Sequence, residues 1–506
     1  MLALTSPPGP ASPSPARDGP YRRSPLDRRN PEPGSCRRTV GARASQSHGS
    51  TRVRQPRTEA EDVNTLTAPA LSGPPSSKSP FLPDLLVADY IDVRPPTLAE
   101  LDRALHALAD EHPDRCSLRT IGRSRAGRPL RMLTVPGGPV PVLVHGTPHA
   151  NEPIGMASAL ALARIAVACP AVRERVTWHL VACGDPDGVA LNEHLWSTGW
   201  DLSVVGYHGG MHRPAVGHQP EWGFPTPHYA MRLPETRALK AQIDALRPAL
   251  TISMHNSDSA GAFYMTTGTQ PPGLPELLAH LAGRQGLPVT QMPMDCIELP
   301  SPGNGVFVMP QPSAPAPTGT AEREWTPAGA SSIHYTERRG GWGVFPEVPM
   351  WATDRLDLPA PAAVEILDDA ARTADRLQYT VPEGDSPFAA SVREYRLIMP
   401  LMARQIREHP VAGRDQDLVL LVPARSAGAL RRHVDALLVD EPASRALKRA
   451  REEIDTVFRA WCHRAETGLR PRTLPLARTA GYQVETALAL ASLPSTTVAS
   501  EGVRGG

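Results

Sequence analysis

No two of the six cysteines, Cys36, Cys116, Cys169, Cys183, Cys296 and Cys462, are spaced as C-x-x-C. That scatter excludes a disulfide framework and a cysteine zinc knuckle, and it predicts reduced thiols in a cytoplasmic protein. No apolar run approaches ~18 residues, so no membrane span is expected. The first ten residues, from Met1 to Pro10, lack the apolar core of a secretory leader, so no signal peptide is predicted. A formal charge of +1 at pH 7 gives no global attraction to nucleic acid or to an anionic membrane. Aromatic residues make up only 5%, against 57 prolines and 40 glycines, which suggests a folded part diluted by irregular segments. Neither H-E-x-x-H nor G-x-x-x-x-G-K-[ST] occurs. Gly122-Arg-Ser124-Arg-Ala126 lacks the last glycine of a G-x-S-x-G nucleophile elbow, and a hairpin explains it better.

What is present divides the chain of 506 residues into three parts. Residues 1–80 carry 12 Lys/Arg against 6 Asp/Glu and few large apolar side chains, so they are expected to be a disordered tail. Residues 81–380 alternate strand-like and helix-like patterns. Leu98, Leu101, Leu105 and Leu108 recur at helical spacing behind Pro96 and Thr97. Strands are expected over 117–122, 129–135, 140–144, 176–183, 249–254 and 342–349, and an apolar, buried helix from Pro153 to about Val167. Strands alternating with helices indicate an α/β sheet covered on both faces. Residues 310–330 read as a surface loop. Residues 381–506 turn helical, with a stripe at Leu447, Ile454, Val457, Phe458 and Trp461 that Gly468 is expected to end.

Three metal-ligand side chains fall at predicted strand ends. His149 and Glu152 follow the strand at 140–144, and His255 follows the strand at 249–254. In open α/β sheets ligands bind beyond the carboxyl ends of strands, so separate strands can deliver side chains to one point. Two imidazoles and one carboxylate suit a catalytic Zn²⁺ with one position left open. His145 is an alternative ligand, better read as a strand-end histidine. The loop histidines His208, His212 and His218 could also bind metal.

Several segments resemble the M14 zinc carboxypeptidases of bacterial type, in the family's order. Gly122-Arg-Ser-Arg-Ala-Gly-Arg-Pro129 resembles its G-x-S-x-x-G-R segment, and His149-Ala-Asn-Glu152 its H-x-x-E signature. Asp185-Pro-Asp-Gly188 resembles the N-P-D-G turn, Ser253-Met-His255 the third-ligand strand, and Phe345-Pro-Glu347-Val-Pro349 the strand of the catalytic Glu. The resemblance implies a mixed, mostly parallel eight-stranded sheet flanked by helices and one Zn²⁺ held by His149, Glu152 and His255. It also implies an enzyme that cleaves a C-terminal peptide bond with zinc-activated water, Glu347 acting as general base.

The pattern breaks where the family carries an Asn-Arg pair for the substrate's terminal carboxylate. Gly209 and Gly210 stand near that place, and Arg213 is the nearest substitute. Tyr335 is the candidate for the family's mobile tyrosine. The missing pair leaves a zinc N-acyl amidohydrolase or deacylase as the alternative, and a non-catalytic binding protein as a third reading. The substrate is accordingly expected to be a peptide or an N-acyl amino acid.

Overall fold

Near-continuous apolar runs at Val140–Gly146 and Leu250–Met254 form strands whose residues are buried on both faces, as expected of the centre of an α/β sheet. The structure, a computed structural model, describes residues 86–493 except 292, 294–295, 297–298, 313–327, 355, 383 and 410–415. The predicted tail and most of the predicted 310–330 loop lie outside the described residues.

The strands are β1 (Ser117–Arg123), β2 (Pro129–Val135), β3 (Val140–Gly146), β4 (Val176–Val181), β5 (Leu250–Met254), β6 (Asn256–Ser257), β7 (Phe263–Thr266), β8 (Val306–Val308), β9 (Trp342–Pro349), β10 (Trp351–Ala352) and β11 (Arg472–Thr473). Eight of them form one mixed sheet in the order β1-β2-β4-β3-β5-β9-β7-β8, and the short β6 adds beside β9. The central strands β4, β3, β5 and β9 are mutually parallel, whereas β2 and β7 run against them. This is the mixed, mostly parallel eight-stranded sheet that the resemblance implied. β10 and β11 pair separately, tying the end of β9 to the C-terminal region.

The helices are α1 (Leu98–Glu111), α2 (Ile154–Ala168), α3 (Pro170–Arg173), α4 (Pro186–Asn192), α5 (Val204–Gly210), α6 (Pro234–Leu246), α7 (Leu274–Arg284), α8 (Ser332–Glu337), α9 (Ala360–Tyr379), α10 (Ala389–Glu408), α11 (Asp417–Asp440), α12 (Arg445–Leu469) and α13 (Leu476–Ser492). α1 opens on a capping box in which Thr97 and Glu100 satisfy each other's backbone N–H groups. α2 has no polar face to present to water, and nearly all of it is buried between the sheet and α13. α12 does not stop at Gly468 as the sequence suggested. It runs to Leu469, and Arg470 takes the left-handed turn instead at φ 43°, with its guanidinium ion-paired to Asp354 at 2.5 Å.

The C-terminal helices share a core with the sheet. Val142 and Ile252 of the sheet, Leu160 of α2, Leu420 of α11, Phe458 of α12 and Val484 of α13 belong to one hydrophobic cluster. α11 approaches α5 so closely that a Cβ on Gly428 would lie 2.1 Å from the His208 carbonyl oxygen. Only glycine permits that contact. Among the described residues no helix is long and apolar enough to cross a membrane. Cys116, Cys169, Cys183 and Cys462 are unbridged.

Candidate metal centre

Three parallel neighbours, β3, β5 and β9, bring the strand-end residues together. His149 and Glu152 lie on the turn between β3 and α2, His255 follows β5 directly, and Glu347 lies in β9 beyond the stretch that pairs with β5. The β3–α2 turn is strained. Thr147, a β-branched residue, sits at φ 42°. It is held there by its hydroxyl, which donates to the Glu152 carbonyl at 3.0 Å, and by Gly184 N–H, which donates to its carbonyl at 3.2 Å.

Glu152 is bracketed by the two imidazoles. Its Oε1 is 2.9 Å from His149 Nδ1 and its Oε2 is 3.1 Å from His255 Nδ1. Ligand atoms of His149, Glu152 and His255 all lie within 4.8 Å of one another, and all three residues are buried. Glu347 Oε1 stands 3.8 Å from His255 Nδ1, with 12% of its side chain exposed, so it faces the same point from the open side. Among the described residues this is the one cluster of three or more such groups that could hold a metal ion. The donor set fits a catalytic zinc, and the buried His149 Nε2 has no protein partner.

The electrostatics are those of a cation site. Burial alone would raise the Glu152 carboxyl, but the charges of His149 and His255 outweigh it and hold the group well below the usual carboxylate range. Burial pushes His149 down to about 4, partly opposed by Glu152, while the Arg213 charge adds to the depression. Burial also acts to lower His255, yet Glu152 and Glu347 together raise it. The two imidazoles thus shift in opposite directions: burial dominates at His149, where Arg213 adds to it, whereas His255 faces Glu347 and Glu221 as well as Glu152.

Arg213 lies among the donors. It donates to Glu152 Oε1 at 2.7 Å and to Asn151 Oδ1 at 3.1 Å, and its other terminal nitrogen is 3.1 Å from His149 Nδ1. Tyr335 is placed elsewhere. Its hydroxyl donates to Asp244 at 2.8 Å, its ring packs on Phe224, and Lys240, Arg338 and Arg339 face it. A ring held by that many partners differs from the mobile tyrosine expected from the sequence. His145 is bonded to Glu221 at 3.0 Å rather than joined to the metal cluster, and His208 is buried in α5. Gly209 and Gly210 end α5, Gly209 facing α11 and α12 and Gly210 facing His194 and Leu195. A Cβ on Gly209 would meet Arg431 Nη1 at 3.0 Å and the Phe458 ring at 3.1 Å. Helices from the C-terminal region therefore pack against Gly209, one of the two residues near the place where the family's anchoring pair was sought.

Two residues at this centre, the buried Gln483 and the half-buried Arg425, escaped the sequence reading. Gln483 of α13 donates from Nε2 to the His255 carbonyl at 2.5 Å and to the Pro346 carbonyl at 3.0 Å, and its Oε1 accepts from Ser158 at 2.7 Å. Arg425 of α11 is ion-paired with Asp258, three residues past His255. The available signal was weak in both cases, a lone polar group on the apolar face of a distant helix.

The model of the zinc carboxypeptidase family matches residues 101–210, a segment that includes His149 and Glu152 and stops short of His255. The resemblance read from the motifs is thereby shown over that segment. No curated protein matches the chain. Solved structures similar to it include carboxypeptidase A from Helicoverpa armigera, at 14% identity and a TM-score of 0.33, over 66% of this chain and 74% of that one. Another is a metallo-carboxypeptidase from Burkholderia cenocepacia, at 17% identity and a TM-score of 0.30, over 62% and 70%. A third is bovine thrombin-activatable fibrinolysis inhibitor in complex with tick carboxypeptidase inhibitor, at 15% identity and a TM-score of 0.32, over 51% and 87%. Likeness at that level adds nothing to what the sheet order and the site already show.

Proposed function

We propose that this chain is a zinc-dependent amide hydrolase of carboxypeptidase type, acting on a peptide or an N-acyl amino acid. The observation that carries the reading is the convergence of His149, Glu152 and His255 from two strand ends, with Glu347 on a third strand facing the same point. His149, Glu152 and His255 would hold the zinc. When bound there, zinc supplies Lewis acidity, polarising the scissile carbonyl and acidifying the attacking water. Glu347 takes the proton from that water and returns it to the leaving amine, the task of a carboxylate at the open edge of the cluster. Glu152 stays ionised throughout, since its neighbours hold its carboxyl low. For a free-acid substrate, Arg213 is the cation nearest the cluster for the terminal carboxylate, and binding it there would compete with Glu152. We assign the chemistry to residues 81–380 and treat the helical extension of 381–506 as its cover.

One observation favours N-acyl amide cleavage over peptide trimming. Gly209 and Gly210, near the place of the carboxylate-binding pair, offer no charged side chain, Gly209 packs against α11 and α12, and Arg213 is already engaged by Glu152. The test combines metal analysis with paired substrates. Wild type should purify with one zinc per chain and His149→Ala with much less. Equal zinc in both would remove the assigned ligands. If free-acid peptides are cleaved and their C-terminal amides resist, the enzyme is a carboxypeptidase. Equal cleavage of both makes it an amidohydrolase on the same scaffold.

A further inference from the structure

Glu221 belongs to none of the motifs, yet both of its carboxylate oxygens are doubly partnered beside the site. It lies in a short turn, Pro220–Trp222, and is fully buried. Its Oε1 accepts from Ser332 N–H at 2.9 Å and from the Ser332 hydroxyl at 2.7 Å. Its Oε2 is 3.0 Å from His145 Nδ1 and accepts from the Ser253 hydroxyl at 3.2 Å. Ser253 Oγ is in turn 3.2 Å from Nε2 of His255. The chain of contacts therefore runs from His145 to Glu221, to Ser253, to a candidate metal ligand.

Counting protons fixes the direction of that chain. A carboxylate only accepts, and a serine hydroxyl has one hydrogen to give. Ser253 gives its hydrogen to Glu221, so its lone pair must receive one from His255 Nε2. His255 then carries a proton on Nε2, which leaves Nδ1, the atom that faces Glu152 and Glu347, as the nitrogen available to a metal. Packing supports the arrangement from behind. The His145 ring fits only because residue 184 is glycine, since a Cβ there would lie 1.9 Å from His145 Nε2.

The geometry points to Glu221 as a positioning carboxylate for the metal site, acting through Ser253 to orient His255 and set its tautomer, with His145 and Ser332 holding Glu221 in place. The inference rests on the metal-binding reading above and adds to it a residue at the opposite end of the His255 ring. Carboxylates that back a metal-bound histidine orient the ring and raise its basicity, and removing them commonly weakens metal binding by ~10- to 100-fold.

The experiment is zinc affinity by competition with a chromogenic chelator, for wild type, Glu221→Gln and Ser253→Ala. Both variants are expected to bind zinc ~10- to 100-fold more weakly than wild type. Their circular dichroism should stay native. With Co²⁺ in place of zinc, their visible absorption bands should shift, a change that a merely structural role would not produce. If Glu221→Gln does not fold, Ser253→Ala decides alone, because it removes the relay and leaves the carboxylate with three of its four partners. If wild type binds zinc and the folded variants match its affinity and cobalt spectrum, Glu221 is structural only and this inference falls by itself. If wild type takes up no zinc, the proposed function falls and this inference with it.

Discussion

The two sides of the centre are built on different principles. On the sheet side, His149, Glu152, His255 and Glu347 come from the ends of adjacent parallel strands, and each is polar because of the chemistry it faces. On the helical side, α10, α11 and α13 present Ser391, Arg425 and Gln483, which bond to the first set or to residues beside it. Ser391 donates to the Arg213 carbonyl, Arg425 pairs with Asp258, and Gln483 donates to the His255 carbonyl. The sheet side supplies reactive groups and the helical side fixes where they stand. Changes on the first should therefore alter rate or metal content at constant stability, and changes on the second should alter stability first.

The sharpest test of the sheet side is Glu347→Gln. An amide matches the carboxylate in shape but accepts no proton, so turnover should fall by ~10²- to 10⁴-fold. Zinc content and melting temperature should stay at wild-type values. An active variant would move the general base elsewhere and take the distinction between the two sides with it.

On the helical side the largest effect belongs to Arg425→Met. Asp258 is almost fully buried, and its guanidinium partner would be gone, leaving His208 Nε2 at 3.5 Å as its remaining neighbour. Breaking a buried ion pair from one side costs ~3–5 kcal/mol, an upper figure here because His208 can take part of the charge. Adding Asp258→Asn should recover most of that loss in urea unfolding of the metal-free protein. A single variant as stable as wild type would show that water reaches Asp258 easily, and that this helical contact is not a fixed one.

The same contrast explains what could be read from the chain alone. The sheet side was legible because strand runs such as Val140–Gly146 are short and apolar, and the ligands follow within a few residues of the strand ends. His149 and Glu152 are three residues apart, so local spacing sufficed; His255 needed only a second strand end. The helical side was not legible. Gln483 lies 228 residues from the His255 carbonyl it serves, and nothing within α13 marks which of its polar residues points inward. The Glu221–Ser253 contact spans a turn with no strand or helix periodicity. Arg213 was readable as a nearby cation, but its contact with Glu152 was not, since that depends on how the loop before Val216 is held by Glu394 of α10.

A pH prediction tests whether every buried acid on the sheet side serves the metal centre. Asp185 caps α4 just after β4, its Oδ1 accepting from Gly188 N–H at 3.1 Å, while its buried Oδ2 has no partner. Burial pushes this carboxyl up to about 7, against the opposing charge of Arg125. The folded pKa lies above the unfolded value of ~3.9. The stability tied to this group is therefore fully present below ~4 and is lost as pH rises through about 7. Asp185→Asn removes the titration and keeps a capping oxygen. It should be more stable than wild type at pH 8, by on the order of a few kcal/mol. The difference should shrink steadily toward pH 4. A gap that is constant with pH would mean that Asp185 is ionised in the folded protein and that its Oδ2 reaches a solvent or partner group.

The smallest effect is expected at Gln483, and it separates the two sides most finely. Its amide donates to the carbonyl of a metal ligand and to the carbonyl just before the proposed general base, so it spans β5 and β9 at their carboxyl ends. Gln483→Leu keeps the volume but takes a donor from the His255 and Pro346 carbonyls inside the core, while the Ser158 hydroxyl keeps the Ile154 carbonyl at 2.9 Å. Leaving buried polar groups unmade costs ~1–3 kcal/mol. The direct consequence should be a lower melting temperature in the absence of metal. The second consequence depends on whether the helix only supports the strands or also sets their spacing. If it sets the spacing, His255 and Glu347 drift relative to each other, and kcat should fall by several-fold while KM changes little. Zinc affinity should weaken in parallel, since His255 is the ligand affected. If stability falls while kcat and zinc affinity hold, α13 is a cover and nothing more. If all three move together, residues more than 130 positions downstream of Glu347 belong to the active centre as surely as the strand ends do.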